Sequence, residues 1–304
     1  MSSRRKFLQN TAATAGGITL ASTLPSVLKA QEQPLFDISL AEWSLNRRIF
    51  GGEMDNLDFP VFTRSEFDIG AVEYVNQFFM DKAEDSAYLA QLKQRCDDSG
   101  VQSLLIMCDN EGVLGDPDNA ARTQAIENHY KWVTAAASLG CHSVRVNAQS
   151  SGSYGTQLDL AVDGLSRLSE FAAGHGLNVI VENHGGLSSN GKWLAAVMEQ
   201  VGLDNCGTLP DFGNFFITRE ERYDMYQGVE ELMPYAKGVS AKSYDFDQYG
   251  NSIQVDFDRM LKIVVDAGYH GHVGVEWEGR DPGEIEGIKL TKALLERVRS
   301  RLSR

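Results

Sequence analysis

Short apolar runs recur along the chain, and each is followed by a longer stretch with helical periodicity. The runs are FDISLAEWS (36–44), AVEYVN (71–76), SLLIMCD (103–109), HSVRVNA (142–148), NVIVENH (178–184), CGTLPDF (206–212), GVSAKSY (238–244) and HVGVEWE (272–278). A polar residue near the end of each, at 42, 73, 109, 145, 182, 211, 240 and 276, repeats at intervals of 29 to 37 residues. Such an interval accommodates one strand, two short loops and one helix. The intervening stretches read as helices: DSAYLAQLKQRCDDSG and LAVDGLSRLSEFAAGHG each stop on a glycine, and VDFDRMLKIVVDAGYHG opens with acids. Strand–helix alternation implies a parallel sheet. Eight units in succession predict a single α/β domain over residues 31–304, a (β/α)8 TIM barrel. An open doubly wound sheet is the rival, but the chain has no G-x-G-x-x-G or G-x-x-x-x-G-K loop.

In a barrel of this kind the chemistry gathers at the carboxyl ends of the strands, on side chains that alternate inward. In the fifth run the parity turns Val179 and Val181 toward the helices, and Glu182 and His184 inward. In the eighth, Val273, Val275 and Trp277 face out while Glu276 and Glu278 face in. Arg145 and Asn147 share the inner face of the fourth run, and Asp211 follows Pro210 at the end of the sixth. The seventh, KGVSAKSYDF, aims Ser240 and Lys242 inward. Glu42 and Trp43 have opposite parity, so one of them lines the mouth, and an inward Trp43 would give it an apolar wall. Glu182, Asp211 and Glu276 around one mouth repel one another unless a cation neutralises them. A divalent ion bound through oxygen meets that need: Mn2+ or Mg2+ for carboxylates, Zn2+ or Co2+ if histidine joins. Separately solvated acids, or acids paired with Arg145 and Lys242, are the alternative.

The ends and composition change the picture in two ways. Arg4 and Arg5 precede a mildly hydrophobic, uncharged stretch rich in Ala, Thr and Gly, the layout of a twin-arginine export signal over residues 1–30 with a cut after Ala30. That predicts a periplasmic or otherwise exported protein with no membrane segment after removal of the signal. The signal carries four basic residues (Arg4, Arg5, Lys6, Lys29) and no acid, so its loss takes the net charge from −14 to −18. A chain this acidic repels phosphate backbones and excludes nucleic acid as a partner. The four cysteines form no C-x-x-C pair and read as small core residues.

The motifs VIVENHGG, LPDFGNF and VGVEWEG, in this order and spacing, resemble the xylose isomerase-like barrel superfamily of sugar isomerases and epimerases, related to the apurinic endonucleases. The resemblance spans residues 35 to 300. It implies one divalent metal ion held by Glu182, Asp211, the position of Ser240, and Glu276, with Glu182 and Glu276 as the proton-transfer pair. Many relatives read His-x-Lys where this chain has Ser240-Ala241-Lys242, so a water or His184 would complete the shell. His184 is otherwise a substrate hydrogen-bonder or a partner of Asp211. Lys242 would donate to a developing oxyanion or offset carboxylate charge, and Arg145, Asn147, Asn214 and His184 would meet substrate hydroxyls. His129 and His175 fall on helices, His270 in a loop, and His142 and His272 at strand starts; all five are set aside. The implied reaction is isomerisation or epimerisation of a small-molecule sugar through an enediolate. Export and the lack of a basic phosphate clamp point to an unphosphorylated sugar or keto sugar. β-Elimination of a 3-keto-glycoside by a lyase or hydrolase is the runner-up, and a non-catalytic sugar-binding barrel is the reading from another class. A homo-oligomer is compatible with all of these.

Overall fold

A computed structural model describes residues 34–304; the expected export signal lies outside the described residues. The strands are β1 (Asp37–Ala41), β2 (Ala71–Val75), β3 (Gln102–Met107), β4 (Ser143–Val146), β5 (Asn178–Glu182), β6 (Cys206–Leu209), β7 (Val239–Ser243) and β8 (His272–Trp277). The helices are α1 (Asn46–Phe50), α2 (Phe59–Phe67), α3 (Ser86–Ser99), α4 (Asn119–Leu139), α5 (Tyr154–Ala173), α6 (Gly191–Val201), α7 (Met225–Leu232), α8 (Phe257–Asp266) and α9 (Glu284–Leu302). All strands are parallel, in the order β6-β5-β4-β3-β2-β1-β8-β7. Pro210 has no N–H to continue the ladder past β6, so the ring closes onto β7 by single bridges. Ser240 N donates to Pro210 O (2.9 Å), and Phe212 N donates to Ser240 O (3.1 Å). The predicted (β/α)8 barrel is the fold.

Local chemistry sets the helix ends. Asp85, Asp118, Asn190, Asp224 and Asp256 each accept a backbone N–H in the first turn of the helix that follows. The predicted alternation of faces holds as well. Val179, Val181, Val239, Ala241, Val273, Val275 and Trp277 pack against the helices. Ala41, Ala71, Val75, Leu105, Met107, Ile180 and Leu209 form a separate apolar cluster inside the barrel. The strands end earlier than the hydrophobic runs suggest, so Asp109, Asn147 and Asp211 stand on the loops just past them, and Glu42 opens a short 3-10 helix after β1. Among the described residues no helix is long and apolar enough to cross a membrane.

One polar group sits deep in the barrel. Glu73 of β2 is buried; its Oε1 accepts from Ser39 Oγ (2.6 Å) and its Oε2 has no partner. Gly274 on β8 makes room for it, since a Cβ there would lie 2.7 Å from Glu73 Oε1. Burial first, and the charge of Glu182, outweigh the Ser39 bond and Arg145 and push Glu73 up to about 7. An unfolded glutamate ionises near 4.5, so between 4.5 and 7 the folded chain holds a proton that the unfolded chain has released. Stability therefore falls as pH rises through that window, by about 3 kcal/mol at most. Glu73→Gln, which mimics the protonated acid, is expected to raise Tm by several degrees at pH 8 and leave it unchanged at pH 5. Melting curves at the two pH values check this, and an equal shift at both would refute it.

Candidate active site

The inward side chains of β4, β5, β7 and β8 and the loop after β6 converge at the carboxyl end of the barrel. Glu182, Asp211 and Glu276, all buried, each present an oxygen within 4.8 Å of the others. Lys242 Nζ stands against all three, 3.2 Å from Glu276 Oε1, 3.6 Å from Asp211 Oδ2 and 3.9 Å from Glu182 Oε1, and 3.4 Å from Glu278 Oε1. Arg145 adds a second buried cation. Its Nε lies 2.7 Å from Glu182 Oε2 and its guanidinium 2.9 Å from Asp109 Oδ1. The Nε–H does not point at the Glu182 oxygen, so this contact is an ion pair without a hydrogen bond, and Glu182 Oε2 has no donor.

Ser240, at the position where the resemblance implies a ligand, is tied into the cluster. Its Oγ lies 2.8 Å from Asp211 Oδ2 and 2.6 Å from Glu276 Oε2. A hydroxyl has one proton to give, so the second contact requires a proton on one of the carboxyls. Glu276 supplies it. Burial foremost, then the charges of Glu182, Asp211 and Glu278, push it up to about 8 against the opposing pull of Lys242. Asp211 rises to about 6, through burial above all. Glu182 goes the other way: burial favours its neutral form, but Arg145 and Lys242 prevail and hold it below its usual range. Lys242 and Arg145 are likewise raised by their carboxylates despite burial, and both stay charged. At neutral pH the ion-free cluster thus pairs a protonated Glu276 with an ionised Glu182.

The donor set fits a divalent cation. Three carboxylates converge, Glu182 Oε2 is buried without a donor, and every donor is oxygen, as hard ions prefer. His184 does not belong to that group: it is exposed at the rim, where only its backbone N–H makes a bond, to Ser188 Oγ (3.2 Å). The reading of His184 as a partner of Asp211 is corrected accordingly. Asp211 is instead held by Ser240 and by the N–H groups of Gly213 and Asn214 (2.8 and 2.7 Å). Asn214 Nδ2 donates to Glu182 Oε1 (2.7 Å) and orients that carboxylate. Asn147 stands in the cavity wall, donating to Asp109 Oδ1 (2.8 Å) while its own Oδ1 is unpartnered. Of the first-strand pair, Trp43 lines the cavity and donates to Glu278 Oε1 (2.8 Å). Glu42 is buried and accepts from Val75 N (2.9 Å).

The cavity holds about 550 Å³. Sequence reasoning missed part of its wall. Asp109 accepts from Arg145, Asn147 and Gln77. These contacts outweigh burial and take it down to about 2. It is a fixed negative charge opposite the carboxylate cluster, and its place at a predicted strand end was the available signal. Glu111 and His129 also line the cavity; no strand parity points to either.

The chain belongs to the xylose isomerase-like TIM barrel family, whose family model matches residues 65–300. Among solved structures it resembles the IOLI protein crystallised with a zinc atom (14% identity, TM-score 0.68, 88% of this chain and 99% of that one). It also resembles 3-keto-D-glucoside 4-epimerase, YcjR, from E. coli (14% identity, TM-score 0.63, 87% and 100%). At such identities these likenesses speak to the fold. A short match, 40% identical over 65 residues, links it to the C-glycoside deglycosidase alpha subunit of Arthrobacter globiformis. That match spans 20% of this chain and 18% of that protein.

Proposed function

We propose that this protein is a divalent-metal-dependent isomerase or epimerase of an unphosphorylated sugar or keto sugar. The observation that carries the reading is geometric: three buried carboxylates, Glu182, Asp211 and Glu276, present oxygens within 4.8 Å of one another at the carboxyl end of the barrel, with Lys242 against all three. The opposed shifts of Glu276 and Glu182 accord with an acid and a base on one mouth. Glu182, Asp211 and Glu276, with Ser240 or a water beside them, would hold the ion, which supplies Lewis-acid polarisation of a substrate carbonyl. Glu182 is the base for the proton next to that carbonyl, held in place by Asn214 and Arg145. Glu276 returns a proton from the other side of the cluster, and Ser240 keeps its carboxyl connected to Asp211. Lys242 sits where negative charge develops on the substrate oxygens and faces it with an ammonium group. Trp43 supplies an apolar face for a polyol, and Asn147 holds Asp109 in the wall beside it.

The same proton abstraction would expel a group β to a keto function, so a lyase acting on 3-keto-glycosides is the second reading. The short likeness to a deglycosidase subunit favours it. The twin-arginine layout supports a site of action outside the cytoplasm, where free sugars and glycosides are met. Incubating the protein with keto sugars and 3-keto-glycosides in D2O, with Mn2+ or with EDTA, tests both readings by NMR. Deuterium next to the carbonyl in an intact skeleton, lost with EDTA, is expected. A released aglycone would establish the lyase, and binding that ignores EDTA without any exchange would leave a sugar-binding barrel.

A further inference from the structure

His129, at the middle of α4, is part of the cavity wall although its helix lies outside the barrel. The reason is a close approach. The loop after β3 runs directly over α4 at Gly112 (φ +97°), where a Cβ would lie 2.8 Å from Ala125 Cβ. Only glycine allows that contact, which leaves Asp109, Glu111 and Val113 of the loop beside His129 on one side of the cavity.

The imidazole has one satisfied edge. Nδ1 lies 2.7 Å from Ala125 O. A carbonyl oxygen can only accept, so Nδ1 carries the hydrogen. Burial keeps the ring neutral by lowering its pKa. Nε2 is therefore a bare lone pair, and no group of the described residues reaches it. The residue is 3% exposed and lines the cavity, so the edge opposite Nδ1 is the one left for a cavity ligand. The neighbouring carboxylates are engaged elsewhere. Glu111 accepts from Trp132 Nε1 (2.5 Å) and pairs with Lys131 Nζ (3.1 Å). Asp109 is taken by Arg145, Asn147 and Gln77.

We propose that His129 Nε2 accepts a hydrogen bond from a hydroxyl at the end of the substrate remote from its carbonyl, making this wall a specificity determinant for an unphosphorylated polyol end. A phosphate or carboxylate there would set oxygen lone pairs against a nitrogen lone pair, with Asp109 and Glu111 alongside. This rests on the sugar reading above and narrows it to substrates with a free terminal hydroxyl.

The test uses the whole chain and the quenching of cavity tryptophan fluorescence. Its probes are a ketohexose panel, the matching terminally deoxygenated ketohexoses and the terminally phosphorylated ones. Asparagine places its amide nitrogen where Nδ1 stands, and glutamine brings its amide oxygen, an acceptor, to where Nε2 stands, so the two variants separate helix from ligand roles. His129→Asn is expected to weaken binding of the ketohexose about tenfold while its affinity for the deoxygenated analogue is unchanged. His129→Gln is expected to recover most of the loss, and the phosphorylated sugars to bind wild type at least tenfold more weakly than the free ones. KM is expected to carry the change, with kcat within about threefold. Equal losses for both analogues, or full recovery by asparagine, would overturn the assignment while leaving the sugar reading intact. Absence of binding by any ketohexose to wild type would overturn both. If either variant melts early, the comparison of free and phosphorylated sugars on wild type still decides.

Discussion

Glu276→Gln is expected to lower deuterium uptake next to the substrate carbonyl by about 10²- to 10⁴-fold while leaving the melting temperature close to wild type. The two halves of this expectation have one source. Glu276 is pushed up to about 8, so in the ion-free cluster at neutral pH the wild-type side chain is a neutral acid giving its proton to Ser240 Oγ, 2.6 Å away. Glutamine has nearly the same shape and also places a donor there, so packing and the Ser240–Asp211 bond survive. It has no transferable proton, so return of a proton to the substrate stops. Uptake is followed by NMR in D2O with the substrate found in the keto-sugar screen, at a Mn2+ concentration shown by calorimetry to saturate the variant. Uptake at the wild-type rate would refute the role of Glu276, and a collapse of Tm would refute its protonated state in the ion-free cluster.

How much of this site can be read from the letters depends on how each residue reaches it. Glu182, Ser240, Lys242 and Glu276 belong to strands whose outward neighbours are apolar, and a period of two fixes their direction once the strand is recognised. Asp211 follows from Pro210, which ends the ladder and turns the chain over the mouth. Pairings between elements leave no such trace. The bond from Asn214 to Glu182 depends on how the loop after β6 crosses β5, and the pairing of Arg145 with both Asp109 and Glu182 on the lengths of three side chains. His129 is the clearest case. Its helical setting says buried face, which is correct, but a buried face of α4 becomes a cavity wall only because Gly112 lets a loop lie flat against it. Ser240 is intermediate. Its direction is legible, whereas its double contact, and the proton that contact demands on Glu276, needs the distances.

The same distances set the second large expectation, for Lys242→Met. Methionine keeps nearly the volume of the side chain, one atom shorter, and removes the charge. Lys242 Nζ lies within 3.9 Å of Glu182, Asp211, Glu276 and Glu278 and is nearly fully buried. Removing one partner of a buried ionic group leaves the others uncompensated, at a cost of about 3–5 kcal/mol. For a domain of this size that is a fall in Tm of about 6–15 °C near pH 8. The loss has a sign in pH. Without the ammonium the carboxyls bind protons more tightly in the folded state than in the unfolded chain, so the variant loses further stability as pH rises and regains it as pH falls toward 5. A divalent ion offers the same carboxylates an alternative cation. Saturating Mn2+ is therefore expected to raise Tm more in the variant than in wild type, since binding to the folded state alone stabilises it by mass action. Differential scanning calorimetry at pH 5 and pH 8, with and without Mn2+, measures all three effects. A deficit equal at both pH values and indifferent to the ion would mean that Lys242 contributes packing alone, and that the four carboxyls are neutralised by other means.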